Sequence, residues 1–132
     1  MKNSTTSPQT KVILVADDEP DIVTIVEMIL RSQGYDVLKA ANGLEALELA
    51  ERYSPDLILL DIMMPDMDGW EVLRLLHVDP STAEIPVAMI SAKTGSRAKI
   101  TSMQEGAVDY ITKPFDSREL LTKVRELLTS QG

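Results

Sequence analysis

"DLILLDIM", residues 56–63, holds four consecutive apolar side chains between two aspartates. Side chains alternate between the two faces of a strand, so an unbroken apolar run means that both faces are covered. That is the condition of a strand inside a parallel sheet packed between helices. The rest of the chain fits it. "KVILVA" (11–16), "YDVLKA" (35–40), "PVAMIS" (86–91) and "AVDYIT" (107–112) are four more short apolar runs.

Between these runs the apolar spacing becomes helical. From Pro20, the positions Ile22, Val23, Ile25, Val26, Ile29 and Leu30 suit a helix closed by Gly34. Asn42 opens a second helix with Leu44, Leu47 and Ala50 as its apolar positions. Gly69 to His77 reads as a third, carrying Val72, Leu73, Leu75 and Leu76. Residues 95–105 form a more polar fourth helix ended by Gly106, and the fifth runs from Asp116 with Leu120, Leu121, Val124, Leu127 and Leu128 on one side. Five strands alternating with five helices predict an α/β chain, doubly wound in three layers around a five-stranded parallel sheet.

The 132 residues suffice for one domain with one good core. Residues 1–10, rich in Ser, Thr, Asn and Pro, read as a flexible N-terminal tail, and 11–130 as the folded domain. Apolar content of 44% and charged content of 26% are those of a soluble protein, and no run is long enough for a membrane span. There is no signal-peptide pattern and no cysteine, which favours the cytoplasm and excludes disulfides and thiolate metal sites. A net charge of −8 argues against unaided binding to nucleic acid or anionic lipid.

Ligands of open parallel sheets bind beyond the carboxyl ends of the strands. There the first strand delivers Asp17 and Asp18 with Glu19 beside them, the third Asp61, the fourth Ser91, and the fifth Thr112 and Lys113. Asp66 and Asp68 follow Asp61 closely. Asp68 is placed to cap the next helix, and Asp66 to stay solvated. Gathered carboxylates need a proton or a cation to coexist, and with no His or Cys among them the donor set suits Mg²⁺, or Mn²⁺, rather than zinc. A carboxylate beside a cation, a lysine and a hydroxyl has the parts for attack on phosphorus, a reaction driven by positioning and charge stabilisation.

The motifs "VADDEP", "LILLDIMMPDMDG", "PVAMISA" and "DYITKPF" occur in an order and spacing that resembles the receiver domains of two-component response regulators, including stand-alone chemotaxis-type ones. The likeness covers about residues 11–129. It implies a flavodoxin-like (βα)5 fold with strand order 2-1-3-4-5, an order taken from the resemblance and not from the residues. It makes Asp61 the phosphoacceptor, Asp18 a direct Mg²⁺ ligand, Asp17 a ligand through water, and the backbone carbonyl of Met63 a further ligand. Ser91 falls on the switch hydroxyl, where Thr is commoner, and Tyr110 on the switch aromatic. Lys113 is the phosphoryl-binding lysine, with a cis bond to Pro114. The phosphoryl group is then expected to draw Ser91 inward, so that the Tyr110 ring enters the space vacated. Lys93, two places after Ser91, falls where the phosphoryl lifetime is tuned.

The same resemblance implies a histidine kinase or phosphotransfer protein as donor, a downstream protein partner, no direct contact with nucleic acid or membrane, and a monomer or phosphorylation-dependent dimer. The chain is then a signalling switch that catalyses only its own phosphorylation and dephosphorylation. The enzyme alternative is a Mg²⁺-dependent phosphatase with an aspartyl nucleophile, which places a second acid two residues on, where this chain has Met63. A flavin binder needs a phosphate-cradling loop after the first strand, and "ADDEP" repels phosphate. His77, the one histidine, sits at the end of a Leu-rich helix and reads as incidental; Trp70 reads as packing at the start of that helix, and the methionines as core filler.

Overall fold

The computed structural model describes residues 10–92 and 96–130. Residues 1–9 of the tail and Lys93 lie outside the described residues. The strands are β1 (Val12–Ala16), β2 (Asp36–Ala40), β3 (Leu57–Leu60), β4 (Val87–Ser91) and β5 (Asp109–Thr112). The helices are α1 (Pro20–Arg31), α2 (Gly43–Tyr53), α3 (Gly69–Val78), α4 (Ser96–Gln104) and α5 (Ser117–Ser130). All strand pairs are parallel, in the order β2-β1-β3-β4-β5.

The alternation in β1 and β3 generates two cores. Ile13, Val15, Leu57 and Leu59 pack with Val23, Val26 and Leu30 of α1 and Leu120, Val124 and Leu127 of α5. Leu14, Ala16, Ile58 and Leu60 point the other way, onto Ala46 and Ala50 of α2 and Val72, Leu73 and Leu76 of α3. Both faces of the sheet are therefore covered, as the run at 56–63 requires.

The strand predicted through Met63 stops at Leu60. Asp61 still donates its N–H to the Ala16 carbonyl at 3.0 Å, but its carboxylate then accepts the N–H of Met63, which turns the chain out of the sheet. The fifth helix starts at Ser117, with Asp116 capping it through the Glu119 N–H at 2.7 Å. In α2 the apolar face differs from the expected one. Gly43, Ala46 and Ala50 are the buried positions, while Leu44 is 61% exposed and Leu47 half-buried. The reason is close approach: a Cβ on Gly43 would stand 2.8 Å from Cγ2 of Val72. Small residues at i, i+3 and i+7 let α2 lie tightly against α3, and this rotates Leu44 outward. Leu75 and Ile25, also expected inside, are 39% and 48% exposed.

Candidate functional site

The register places the ends of β1 and β3 side by side, with Ala16 opposite Leu60, so Asp17 and Asp61 leave the sheet as neighbours. Ser91 is opposite Thr112, and the Lys113 N–H donates to the Ser91 carbonyl at 2.8 Å. Lys113 therefore starts from the same edge, and its Pro114 bond is cis. Its ammonium lies 2.8 Å from Asp17, 3.1 Å from Glu19 and 3.4 Å from Asp61.

Asp17 and Asp61 are buried, and Glu19 is exposed. Asp61 Oδ1 accepts the Met63 N–H at 3.2 Å, and Asp17 Oδ1 accepts the Glu19 N–H at 3.0 Å. These bonds fix one oxygen of each carboxylate and leave the other facing Lys113. Gly69 supports the floor. A Cβ there would collide with the carbonyl oxygen of Asp61, and the Gly69 N–H donates to Ile62 at 2.8 Å. No other residue type fits that approach.

Burial and the field of Asp17 push the Asp61 carboxyl up to about 6, against the opposing pull of Lys113 and of the Met63 N–H. Burial alone would depress the Lys113 ammonium, but its bond to Asp17, the field of Asp61 and its bond to Glu19 together hold its pKa above the ordinary value. The lysine thus stays charged at neutral pH, and Asp61 is held in a setting that disfavours its anion until positive charge approaches.

Carboxylate oxygens of Asp17, Glu19 and Asp61 lie within 4.8 Å of one another. All donors are oxygens, so the set fits Mg²⁺ or Mn²⁺ and not zinc. Asp18, expected as a direct ligand, is exposed and stands outside this trio, on the wall of a cleft lined also by Met63, Pro65, Asp68 and Trp70. Glu19 is the residue whose part the sequence reading left open. Its adjacency to Asp17 was the available signal; its reach to Lys113 was not.

Asp68 caps α3 through the Glu71 N–H at 2.9 Å, and Asp66 is exposed. Trp70 packs at the start of α3 as expected, and its indole N–H also donates to the buried Ser102 hydroxyl of α4 at 3.0 Å. His77 is half-buried, its ring against Gly106. Ser91 is fully buried and Tyr110 is 8% exposed, with the two side chains hydrogen-bonded. The ring occupies an inner position, where it completes the core on the α2–α4 side. Burial, the largest effect, raises the Tyr110 pKa; the Ser91 bond opposes the rise and the field of Asp61 adds to it.

A parallel 2-1-3-4-5 sheet with an oxygen-only acidic crevice and a lysine at its carboxyl edge defines a flavodoxin-like domain. The response regulator receiver domain family matches residues 13–125, and the chain belongs to it.

It is 46% identical over 116 residues to the DNA-binding dual master transcriptional regulator RpaA of Synechocystis, covering 88% of this chain and 48% of that protein. It is 44% identical over 118 residues to the alkaline phosphatase synthesis transcriptional regulatory protein PhoP of Bacillus subtilis, covering 89% of this chain and 48% of that one. The chain thus spans about half the length of these curated relatives. Among solved structures, chemotaxis protein CheY4 of Vibrio cholerae superposes with a TM-score of 0.85 at 30% identity, covering 89% of this chain and 98% of that one. The receiver domain of sensor histidine kinase PA1611 from Pseudomonas aeruginosa, solved with a magnesium ion coordinated in its active-site cleft, gives 0.84 at 31%, covering 91% and 98%. The chain is a signalling receiver domain; the phosphatase alternative is not supported, with Met63 standing where that chemistry needs an acid. No helix among the described residues is long and apolar enough to cross a membrane.

Proposed function

We propose that Asp61 accepts a phosphoryl group from a phosphohistidine of a histidine kinase or phosphotransfer protein, with Mg²⁺ as cofactor. The observation that carries this is the buried Asp61 carboxylate, 3.4 Å from the Lys113 ammonium and beside Asp17 and Glu19. One Asp61 oxygen attacks phosphorus, the P–N bond to the donor imidazole breaks, and an acyl phosphate remains. Lys113 binds one phosphoryl oxygen and the Ser91 hydroxyl donates to another. Asp17 and Asp61 would hold the cation, with Asp18 and the Met63 carbonyl completing the set from the rim. When bound, the ion neutralises the charge on the attacking carboxylate and the phosphoryl oxygens.

The chain catalyses this transfer and its hydrolysis on itself, and turns over no external substrate. Because Tyr110 is found in its inner position, the switch works by population: the phosphoryl group favours the state in which Ser91 and Tyr110 are both held inside. As its relative RpaA is named a DNA-binding regulator, the output of this chain is read as either a separate protein or a fused one. Cytoplasmic residence follows from a kinase donor of that kind.

Phosphoramidate, a P–N donor, tests the proposal. With Mg²⁺ it should label the wild type once, with an acid-stable, base-labile bond, and fail to label Asp61→Asn. Label that forms equally without a divalent ion would overturn the cofactor assignment.

A further inference from the structure

The small-residue face that seats α2 on α3 leaves an apolar groove of about 410 Å³ along their outer side. Leu44 and Leu47 line it from α2, Leu75 and Val78 from α3. Leu44 is 61% exposed, Leu75 39% and Val78 75%, so large apolar side chains of two facing helices stand in water together. Three carboxylates, of Glu48, Glu51 and Asp79, share the same lining, and no lysine or arginine does among the described residues. Of the nearby cations, Arg74 of α3 reaches Glu105 at 3.4 Å, on the side of α4, while Arg52 of α2 and Lys39 line the neighbouring groove that Glu48 and Glu51 also border.

Apolar side chains recur along α2 at i and i+3, with acids at i+4 and i+7, and α3 repeats apolar, apolar, acid at Leu75, Val78 and Asp79. Each helix thus presents an apolar ridge edged by negative charge. A second copy of the chain would set carboxylates against carboxylates, and anionic lipid or nucleic acid would be repelled. The complementary occupant is an amphipathic helix with an aliphatic stripe flanked by Lys or Arg.

We propose that the α2–α3 groove docks such a basic amphipathic helix of a protein partner. None of the groove's lining residues belongs to the carboxylate trio of Asp17, Glu19 and Asp61. The proposal does not depend on the phosphoacceptor assignment.

The test uses the full chain, ¹⁵N-labelled, and three synthetic peptides. One is a helix with a leucine stripe flanked by lysines, one has glutamates in place of the lysines, and one is a scramble of the first. The lysine helix should shift amides of α2 and α3, while the other two peptides leave them unmoved. Leu44→Ser and Val78→Ser should each weaken binding about tenfold, as expected from losing much of one buried aliphatic side chain. Glu48→Lys, at an exposed site that leaves the fold undisturbed, should weaken it comparably. Unchanged affinity in these variants, equal binding of the glutamate or scrambled peptide, shifts confined to other helices, or binding to anionic vesicles in place of the lysine helix would each overturn the proposal. Label uptake at Asp61 from phosphoramidate should be the same in all variants, and its loss would expose a folding defect. Should Asp61 take no label even in the wild type, the phosphoacceptor reading fails while the docking result stands on its own.

Discussion

Replacing the buried charge at the centre of the site should make the metal-free protein more stable. Asp61 is 3% exposed, and its carboxyl is pushed from the ordinary 3.8 up to about 6 by burial and by Asp17. At about 1.4 kcal/mol per tenfold change in proton affinity, the fold disfavours the Asp61 anion by about 3 kcal/mol. The sign follows from proton counts. Between pH 3.8 and about 6 the folded chain holds a proton that the unfolded chain has released, so stability falls as pH rises through that window. Above it, the wild type carries the full deficit. Asp61→Asn removes the charge and keeps an oxygen to accept the Met63 N–H, while Lys113 retains Asp17 and Glu19. The variant should therefore gain up to about 3 kcal/mol at pH 7.5, a rise in Tm on the order of 10 °C for a domain of this size. Near pH 4 the two proteins should converge. Urea and thermal unfolding in a chelating buffer at both pH values measure this. If Asp61→Asn is no more stable than wild type at pH 7.5, the argument from a buried, crowded carboxylate is refuted.

Mg²⁺ should stabilise the wild type by mass action, and the gain should shrink sharply in Asp18→Ala and in Asp61→Asn; an undiminished gain in Asp18→Ala would remove that residue from the ligand set. Lys113→Met takes from three carboxylates the one cation paired with them among the described residues and should lower stability at pH 7.5 by a few kcal/mol, with Mg²⁺ restoring part of it; an unaffected Tm would show that the ion pairs contribute nothing. Ser102→Ala leaves the Trp70 indole N–H without its partner and should cost about 1 kcal/mol, with faster amide exchange in α4; exchange unchanged in α4 would mean that the bond does not anchor that helix. Ser91→Ala should still accept a phosphoryl group while the Tyr110 ring loses its fixed inner position, read by NMR of the ring; a ring as ordered as in wild type would separate Ser91 from the switch.

The architecture was legible because burial on both sheet faces leaves unbroken apolar runs, and β3 is the plainest of them. The helices were legible in extent and less so in facing. Leucine counts pointed α2's Leu44 inward, whereas packing against α3 is decided by Gly43, Ala46 and Ala50, whose smallness carries no hydrophobic signal. The gathering of Asp17, Asp61 and Lys113 followed from strand ends alone. What the chain did not announce were distances set by side-chain reach: Glu19 on Lys113, Asp18 turned to solvent, and Trp70 bonded to Ser102, 32 residues away. Tyr110's inner position is likewise a matter of packing that no spacing encodes.

Asp61 is the proposed phosphoacceptor. The most direct test is to incubate wild type, Asp61→Asn, Asp66→Asn and Asp68→Asn with acetyl phosphate and Mg²⁺, reduce the products with borohydride, and map the peptides. Reduction of an aspartyl phosphate leaves homoserine at the modified position. Homoserine is expected at position 61 in the wild type and in the Asp66 and Asp68 variants, and none in Asp61→Asn. Homoserine at 66 or 68 in the wild type, or a phosphoryl group retained on Asp61→Asn, would contradict it.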